Sequence, residues 1–284
     1  MAYFEKVDFY HFSFHQLVMN KKHFSKKHQK NEKRKEIIYG KNACFGCIQG
    51  YKNGIKNREI YEIYMLQNKF DDFLRKIPQS LHNLIKKCNS HELFSITHEQ
   101  DKHQGIALKV SNFNFLELED LINEDNKIEK KAIFLLEEIQ DPQNVGNIIR
   151  SSFCFNIDGI ILTEHSSCRI TSAVVRASAG YSECSRIYQI KNTTLAIEKL
   201  KKNGYWIIGF DVNTNVQENI TEIVNKYDKC VFIFGSEGKG IKDSTKKKCD
   251  IIVRLPMNKQ AESLNVANTA SIIGWEIMKS NLNN

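Results

Sequence analysis

The sequence predicts an α/β protein: a parallel sheet in the C-terminal half, preceded by a smaller α/β unit. Three observations carry this. Beyond residue 132, six short apolar runs alternate with helical segments, at 132–136, 159–162, 186–190, 205–210, 230–234 and 250–255. Continuous apolar runs separated by helices indicate a parallel sheet covered on both faces. Residues 36–112 show a shorter alternation of strand-like and helix-like patterns. Between the two, residues 113–131 are dense in charge (Glu117, Glu119, Asp120, Glu124, Asp125, Lys127, Glu129, Lys130, Lys131), as expected of a linker between domains.

A chain of 284 residues fits one large or two ordinary domains. No apolar run approaches the ~18 residues of a membrane span, so no membrane partner is expected. The net charge of +8 favours polyanions, nucleic acid above all, although lysine excess also serves solubility. The eight cysteines are scattered, and most sit in apolar runs, as Cys154 and Cys230 do. That is how reduced, core-filling thiols are used in a reducing compartment, which points to the cytoplasm. Cys44 and Cys47 have half of a metal or redox spacing, without a second pair or a nearby His cluster. No metal is expected there, and both cysteines are placed on a helix beginning near Asn42.

Residues 1–35 mix aromatics (Phe4, Phe9, Tyr10, Phe12, Phe14) with a basic run (Lys21, Lys22, Lys26, Lys27, Lys30, Lys33, Arg34, Lys35). Such a run reads as a flexible arm that touches phosphate. A transit peptide to a mitochondrion or plastid is the rival; scarce arginine and the acids Glu5 and Asp8 weigh against it. Next, Ile37, Ile38, Tyr39 and Gly40 lead into a helix over 42–51. Residues 59–65 alternate with period two, as a strand does. Pro78 opens a second helix, with Leu81, Leu84 and Ile85 at helical spacing. Residues 93–96 and 103–110 read as two more strands.

Three loops follow directly on strands of the larger sheet. They therefore share its carboxyl edge, where parallel sheets bind ligands. The first runs from Asp141 to Arg150: Asn144 fits a helix N-cap, Gly146 permits close backbone approach, and Arg150 offers a planar charged fork two turns on. The second, from Gly235 to Gly240, has three glycines in six residues and Glu237 among them. It is neither a P-loop nor the dinucleotide fingerprint, which occurs nowhere in the chain. The third follows the run that meets Pro256. It is rich in hydrogen-bonding side chains (Asn258, Gln260, Ser263, Asn265) and then starts a helix, which Ser263 or Asn265 can cap. Alone, each loop also reads as ordinary capping or turn chemistry.

In order, Asn144-x-Gly146-Asn147-x-x-Arg150, Gly235-Ser236-Glu237-Gly238, and Leu255-Pro256-Met257 with Ser263-Leu264-Asn265-Val266-Ala267 resemble the three motifs of the SpoU (TrmH-type) family of RNA ribose 2′-O-methyltransferases, of the SPOUT class. The resemblance spans 132–277. Ile38-Tyr39-Gly40 and His103-Gln104-Gly105 also look like strand signals of that family's N-terminal RNA-binding domain. It implies a parallel α/β sheet with a C-terminal deep trefoil knot over 132–284, preceded by a small α/β L30e-like substrate-binding domain over 36–112. Threaded chains are too rare to infer from pattern. It further implies an S-adenosylmethionine pocket, a homodimer that completes the site, and no metal. By motif position, Gly235, Leu255, Pro256, Met257 and Leu264 would hold the cofactor. Asn144, Arg150, Glu237, Ser263 and Asn265 would form the catalytic cluster, with Arg150 on the target phosphate and hydroxyl. The N-terminal domain tilts the substrate toward 23S-type ribosomal RNA. Transfer RNA is the alternative, as is a silent RNA-binding or ribosome assembly factor, against which the intact cluster argues. The long basic arm and Glu262, where a small uncharged residue is expected, depart from the pattern.

Overall fold

The computed structural model describes residues 35–55, 57–123, 130–211, 214, 219–258 and 260–282. All but Lys35 of the expected basic arm lies outside these residues.

The first sheet takes β1 (Lys35–Tyr39), β2 (Ile60–Leu66), β3 (Ile85–Cys88) and β4 (Ile106–Ser111), with α1 (Lys41–Lys52), α2 (Phe70–Leu74) and α3 (Ser90–Thr97) between them. The strand order is β1-β4-β2-β3; β4 runs antiparallel to both neighbours, and β3 parallel to β2. Three expectations are corrected here. Residues 93–96 are not a strand but the middle of α3. Asn89 and Glu92 exchange the two bonds of a capping box, and that local chemistry outweighs a short apolar run. Pro78 introduces a 3₁₀ segment, Gln79–Leu84, after which Ile85 leaves as β3. The strand expected over 103–110 begins only at Ile106, because 102–105 form a turn.

The second sheet has seven strands among the described residues, every neighbouring pair parallel: β5 (Leu116–Glu117), β6 (Lys131–Leu136), β7 (Gly159–Thr163), β8 (Ile187–Ile190), β9 (Trp206–Phe210), β10 (Lys229–Phe234) and β11 (Ile251–Val253). Its helices are α4 (Leu118–Asn123), α5 (Pro142–Cys154), α6 (Ser172–Ala177), α7 (Thr193–Lys202), α8 (Ile220–Lys226), α9 (Asp243–Lys246) and α10 (Val266–Leu282). The six apolar runs become β6 to β11. The last is shorter than expected, since the ladder to β9 stops at Val253, before Pro256. The expected linker is partly structured: Leu116 and Glu117 join β8, and α4 buries Leu118 and Leu121.

The strand order β11-β9-β10-β6-β7-β8-β5 reverses direction beside β6. From β6 the chain steps to β7 and β8 on one side; β9, β10 and β11 lie on the other. Such a reversal opens a crevice at the carboxyl edge. It falls between β6 and β10, which carry the first two motif loops.

From Lys35 on the chain is one compact unit, and a single apolar cluster joins Ile38 and Leu108 of the first sheet to Phe134 and Ile148 of the second. Arg58 is 4% exposed at this junction. It donates to Glu183 Oε1 at 3.1 Å, Glu36 Oε2 at 2.9 Å, the Ser111 carbonyl at 2.7 Å and the Ile170 carbonyl at 2.6 Å. Burial lifts the Glu183 carboxyl above its usual range, and the Arg58 charge opposes that. Removing Arg58 strands the buried Glu183 carboxylate, at roughly 3–5 kcal/mol.

Candidate active site

The site is built on α5. Asp141 Oδ1 accepts from the Gln143 N–H at 3.0 Å, and Pro142 takes the first helical position. Asp141 is therefore the cap. Asn144, expected as one, lies inside the first turn, 8% exposed. Its amide is used at both ends. Nδ2 donates to Glu237 Oε1 at 2.5 Å, and Oδ1 accepts from Asn265 Nδ2 at 3.0 Å.

Glu237 stands exposed on the glycine loop. Ser236 and Gly240 exchange backbone N–H to O bonds at 3.2 and 2.9 Å, which closes the loop on itself. Gly238 and Gly240 have φ of 83° and 67°, and a Cβ built on either would meet no atom within 4 Å. That face of the loop offers open backbone. Gly235 is different: a Cβ there would lie 2.0 Å from the Gly240 carbonyl carbon.

Asn265 comes from the opposite flank. The chain leaves edge strand β11, three places and about 14 Å from β6. It returns so that Asn265 Oδ1 accepts the Ala267 and Asn268 N–H groups at 2.8 and 3.3 Å. Asn265 thus caps α10 and grips Asn144 at once. From there α5 and α10 run side by side in the same direction, with Ser151 Oγ 2.7 Å from Ser271 Oγ and the Phe155 ring edge-on to Trp275 at 6.1 Å.

The remaining expected residues are placed as follows. Ser263 is exposed two residues before Asn265 and takes no part in these bonds. Leu255 and Met257 are half-buried after β11, with Leu255 packed on the core; Pro256 is exposed, and Leu264 is 37% exposed. Exposed Arg150 is not brought to the cluster within one chain. It stands six residues beyond Asn144, about 9 Å along the helix and on another face. Burial pushes the Cys154 thiol and the Tyr181 phenol up, and the Arg150 charge draws both down, so Arg150 faces that flank.

One residue escaped the sequence reading. Glu137, 1% exposed, follows β6; its Oε2 accepts the Lys242 N–H at 3.0 Å and its Oε1 the Thr245 hydroxyl at 2.6 Å. Its own N–H donates to the Phe234 carbonyl at 2.8 Å. Glu137 therefore clamps both ends of the glycine loop. Glu138 beside it pairs with Lys242 at 2.5 Å, which raises the lysine pKa. The signal was present: acids immediately after an apolar strand at the carboxyl edge. Among the described residues no group of three His, Cys, Asp or Glu is placed to hold a metal ion.

A family model described as the SpoU rRNA Methylase family matches residues 131–275, and one described as RNA 2′-O ribose methyltransferase substrate binding matches 37–116. The chain is 32% identical over 224 residues to an uncharacterized tRNA/rRNA methyltransferase of Borreliella burgdorferi, covering 76% of this chain and 96% of that protein. It is 26% identical over 250 residues to the putative TrmH family tRNA/rRNA methyltransferase YacO of Bacillus subtilis, covering 86% and 95%. The crystal structure of an AdoMet-bound rRNA methyltransferase from Sinorhizobium meliloti superposes with a TM-score of 0.70 at 20% identity, covering 87% of each chain. The shared fold is that of the SpoU methyltransferases, which includes a C-terminal trefoil knot.

Proposed function

The chain belongs to the SpoU rRNA methylase family, and from that premise we propose that it transfers the methyl group of S-adenosylmethionine to a ribose 2′-hydroxyl of RNA, ribosomal RNA first. The observation that carries this is the bonded chain Glu237–Asn144–Asn265, drawn from three distant segments to the edge beside an open glycine loop. The substrate-binding match over 37–116 supports the ribose reading, and the family's description supports ribosomal RNA.

The residues present fit the cofactor. Open backbone at Gly238 offers polar groups to an adenosine edge, and half-buried Leu255 and Met257 with exposed Leu264 offer an apolar wall. When bound, the sulfonium supplies an already activated methyl group. The chain's own residues hold and align the acceptor. A ribose hydroxyl is a weak nucleophile, and positioning supplies up to ~7–11 kcal/mol of such a barrier. Arg150 binds the target phosphate and orients the hydroxyl; it does not act as the base, because arginine stays protonated in proteins. Asn144, Asn265 and Ser263 line the ribose side, and Glu237 fixes the Asn144 amide.

A second copy of the chain completes the site. Arg150 stands apart from its own cluster, and beside it α10 exposes Ile272 and Trp275, at 44% and 49%, one turn apart on one face. An apolar stripe next to a displaced catalytic residue suits a two-fold interface, which carries each Arg150 to the partner's cluster. Trp275→Glu is expected to give a monomer by light scattering and to abolish transfer.

The deciding experiment incubates the protein with labelled S-adenosylmethionine and total RNA lacking its modification, then maps alkali-resistant linkages. A resistant linkage in ribosomal RNA is the expected result. Label on a base, or none, overturns the reading. Label confined to tRNA moves the substrate there, in line with the tRNA/rRNA names of the relatives.

A further inference from the structure

The segment 178–185, joining α6 to β8, is pressed between two partners. On one side lies α1 of the first sheet. A Cβ on Gly46 would stand 2.4 Å from the Gly180 carbonyl oxygen, and one on Gly50 would stand 2.2 Å from that of Glu183. Asn57 Nδ2 donates to the carbonyls of Ser182, Glu183 and Ser185 at 3.2, 3.3 and 3.1 Å. Backbone touches backbone, so this seam has no slack to absorb a displacement.

On the other side lies α5. The Tyr181 ring stacks on Phe153, with centroids 4.4 Å apart and planes 15° from parallel. Phe153 is three residues beyond Arg150, so the ring that Tyr181 holds and the Arg150 side chain share one strip of helix surface. The first sheet therefore reaches the Arg150 helix through this stretch, beside the contacts that α6 makes with both β1 and α5.

We propose that segment 178–185 is a positioning wedge: the seating of α1 on Gly180 sets, through the Tyr181–Phe153 stack, where Arg150 stands relative to the reacting ribose. This rests on the RNA methylation reading above. Gly46, Gly180 and Tyr181 touch neither RNA nor methyl donor; they are positioning residues. The N-terminal sheet then has a second task besides holding RNA. It fixes the offset between the RNA it grips and the arginine that acts on it, which a swinging domain cannot do.

The test uses the full chain, saturating S-adenosylmethionine and unmodified ribosomal RNA, and measures kcat, KM for RNA, and the affinity and stoichiometry of cofactor binding. Gly46→Ala forces the seam apart, and Tyr181→Ala removes the stack. Each is expected to lower kcat, approaching the ~100-fold that a displacement of about 1 Å costs, while KM for RNA and cofactor binding stay within about twofold of wild type. Tyr181→Phe, which keeps the stack, restores kcat. If Gly46→Ala does not fold, the tyrosine pair decides. A wild type that modifies no RNA overturns both the functional reading and the wedge. An active wild type whose folded variants keep kcat overturns the wedge alone, as does a rise in KM at unchanged kcat.

Discussion

Asn265 Nδ2 donates to Asn144 Oδ1 at 3.0 Å across 121 positions of sequence. The other end of the Asn144 amide donates to Glu237. An amide gives from one end and accepts at the other, and both neighbours use it so. Asn144→Asp keeps the shape, loses the donor, and sets a second carboxylate against Glu237. Loss of one such part-buried pairing costs ~0.5–1.5 kcal/mol. Methyl transfer is expected to fall at least about tenfold, which corresponds to about 1.4 kcal/mol, with a lowered Tm by calorimetry. Wild-type turnover in the variant would remove Asn144 from the site.

Arg150 is exposed on α5, so Arg150→Ala is expected to shift stability by no more than ~0.5 kcal/mol. Its effect is to lower transfer more than tenfold, as about 1.4 kcal/mol of lost transition-state positioning does. If the arginine acts on the partner's cluster, mixing Arg150→Ala with Glu237→Ala restores activity. Roughly a quarter of the wild-type rate is expected, because about half of random two-fold dimers are hybrids with one intact site in two. A mixture as inactive as its components places Arg150 and Glu237 in the same protomer's site.

The parallel sheet was legible because its strands are buried on both faces and written as unbroken apolar runs, 132–136 and 230–234 above all. The meeting of three motif residues was legible, since Asn144, Glu237 and Asn265 are bonded as a unit, whereas Arg150 and Ser263 stand outside those bonds. What the pattern hid was short or non-local. Residues 93–96 look like a strand until the Asn89–Glu92 capping box is counted. The two-residue strand at Leu116 carries too little sequence to show a period. Glu137 acts through Lys242 and Thr245, more than a hundred residues away, a pairing no local spacing reveals.

Glu62 gives the first sheet an acid-sensitive element. It accepts a hydrogen bond from the Tyr64 hydroxyl and pairs with Lys86 at 3.0 Å and, across the ladder, with Lys109 at 3.5 Å. The Tyr64 bond first, and the lysines after it, lower its pKa from 4.5 to about 2. A carboxylate held down in the folded state stabilises above its unfolded pKa, and that contribution disappears as pH falls. The window is therefore pH 4.5 down to about 2. With its side chain 24% exposed, solvent screening limits the effect to about 1 kcal/mol. Glu62→Gln is expected to have a flatter Tm profile than wild type through that window. Parallel profiles would show that the pairing contributes nothing.

Gly235→Ala tests the loop itself. The added methyl carbon would lie 2.0 Å from the Gly240 carbonyl carbon and 2.2 Å from the Gly240 oxygen and the Ile241 nitrogen. All three are backbone atoms that Glu137 holds nearby through the Lys242 N–H, so no side chain can swing away to make room. The loop must open, which breaks the Ser236–Gly240 bonds and withdraws Glu237 from Asn144. Strand β10 is buried and paired on both sides, so the sheet survives. Binding of S-adenosylmethionine by calorimetry is expected to weaken about a hundredfold, or about 2.7 kcal/mol. RNA binding by the untouched first sheet stays as it was. Gly204→Ala is the control. Its φ of 83° imposes strain of ~1–2 kcal/mol, but the methyl enters open space before β9, at the other end of the sheet, so the loop stays closed and binding is kept. If Gly235→Ala binds the cofactor as tightly as Gly204→Ala does, closure of this loop is not what shapes the methyl-donor pocket.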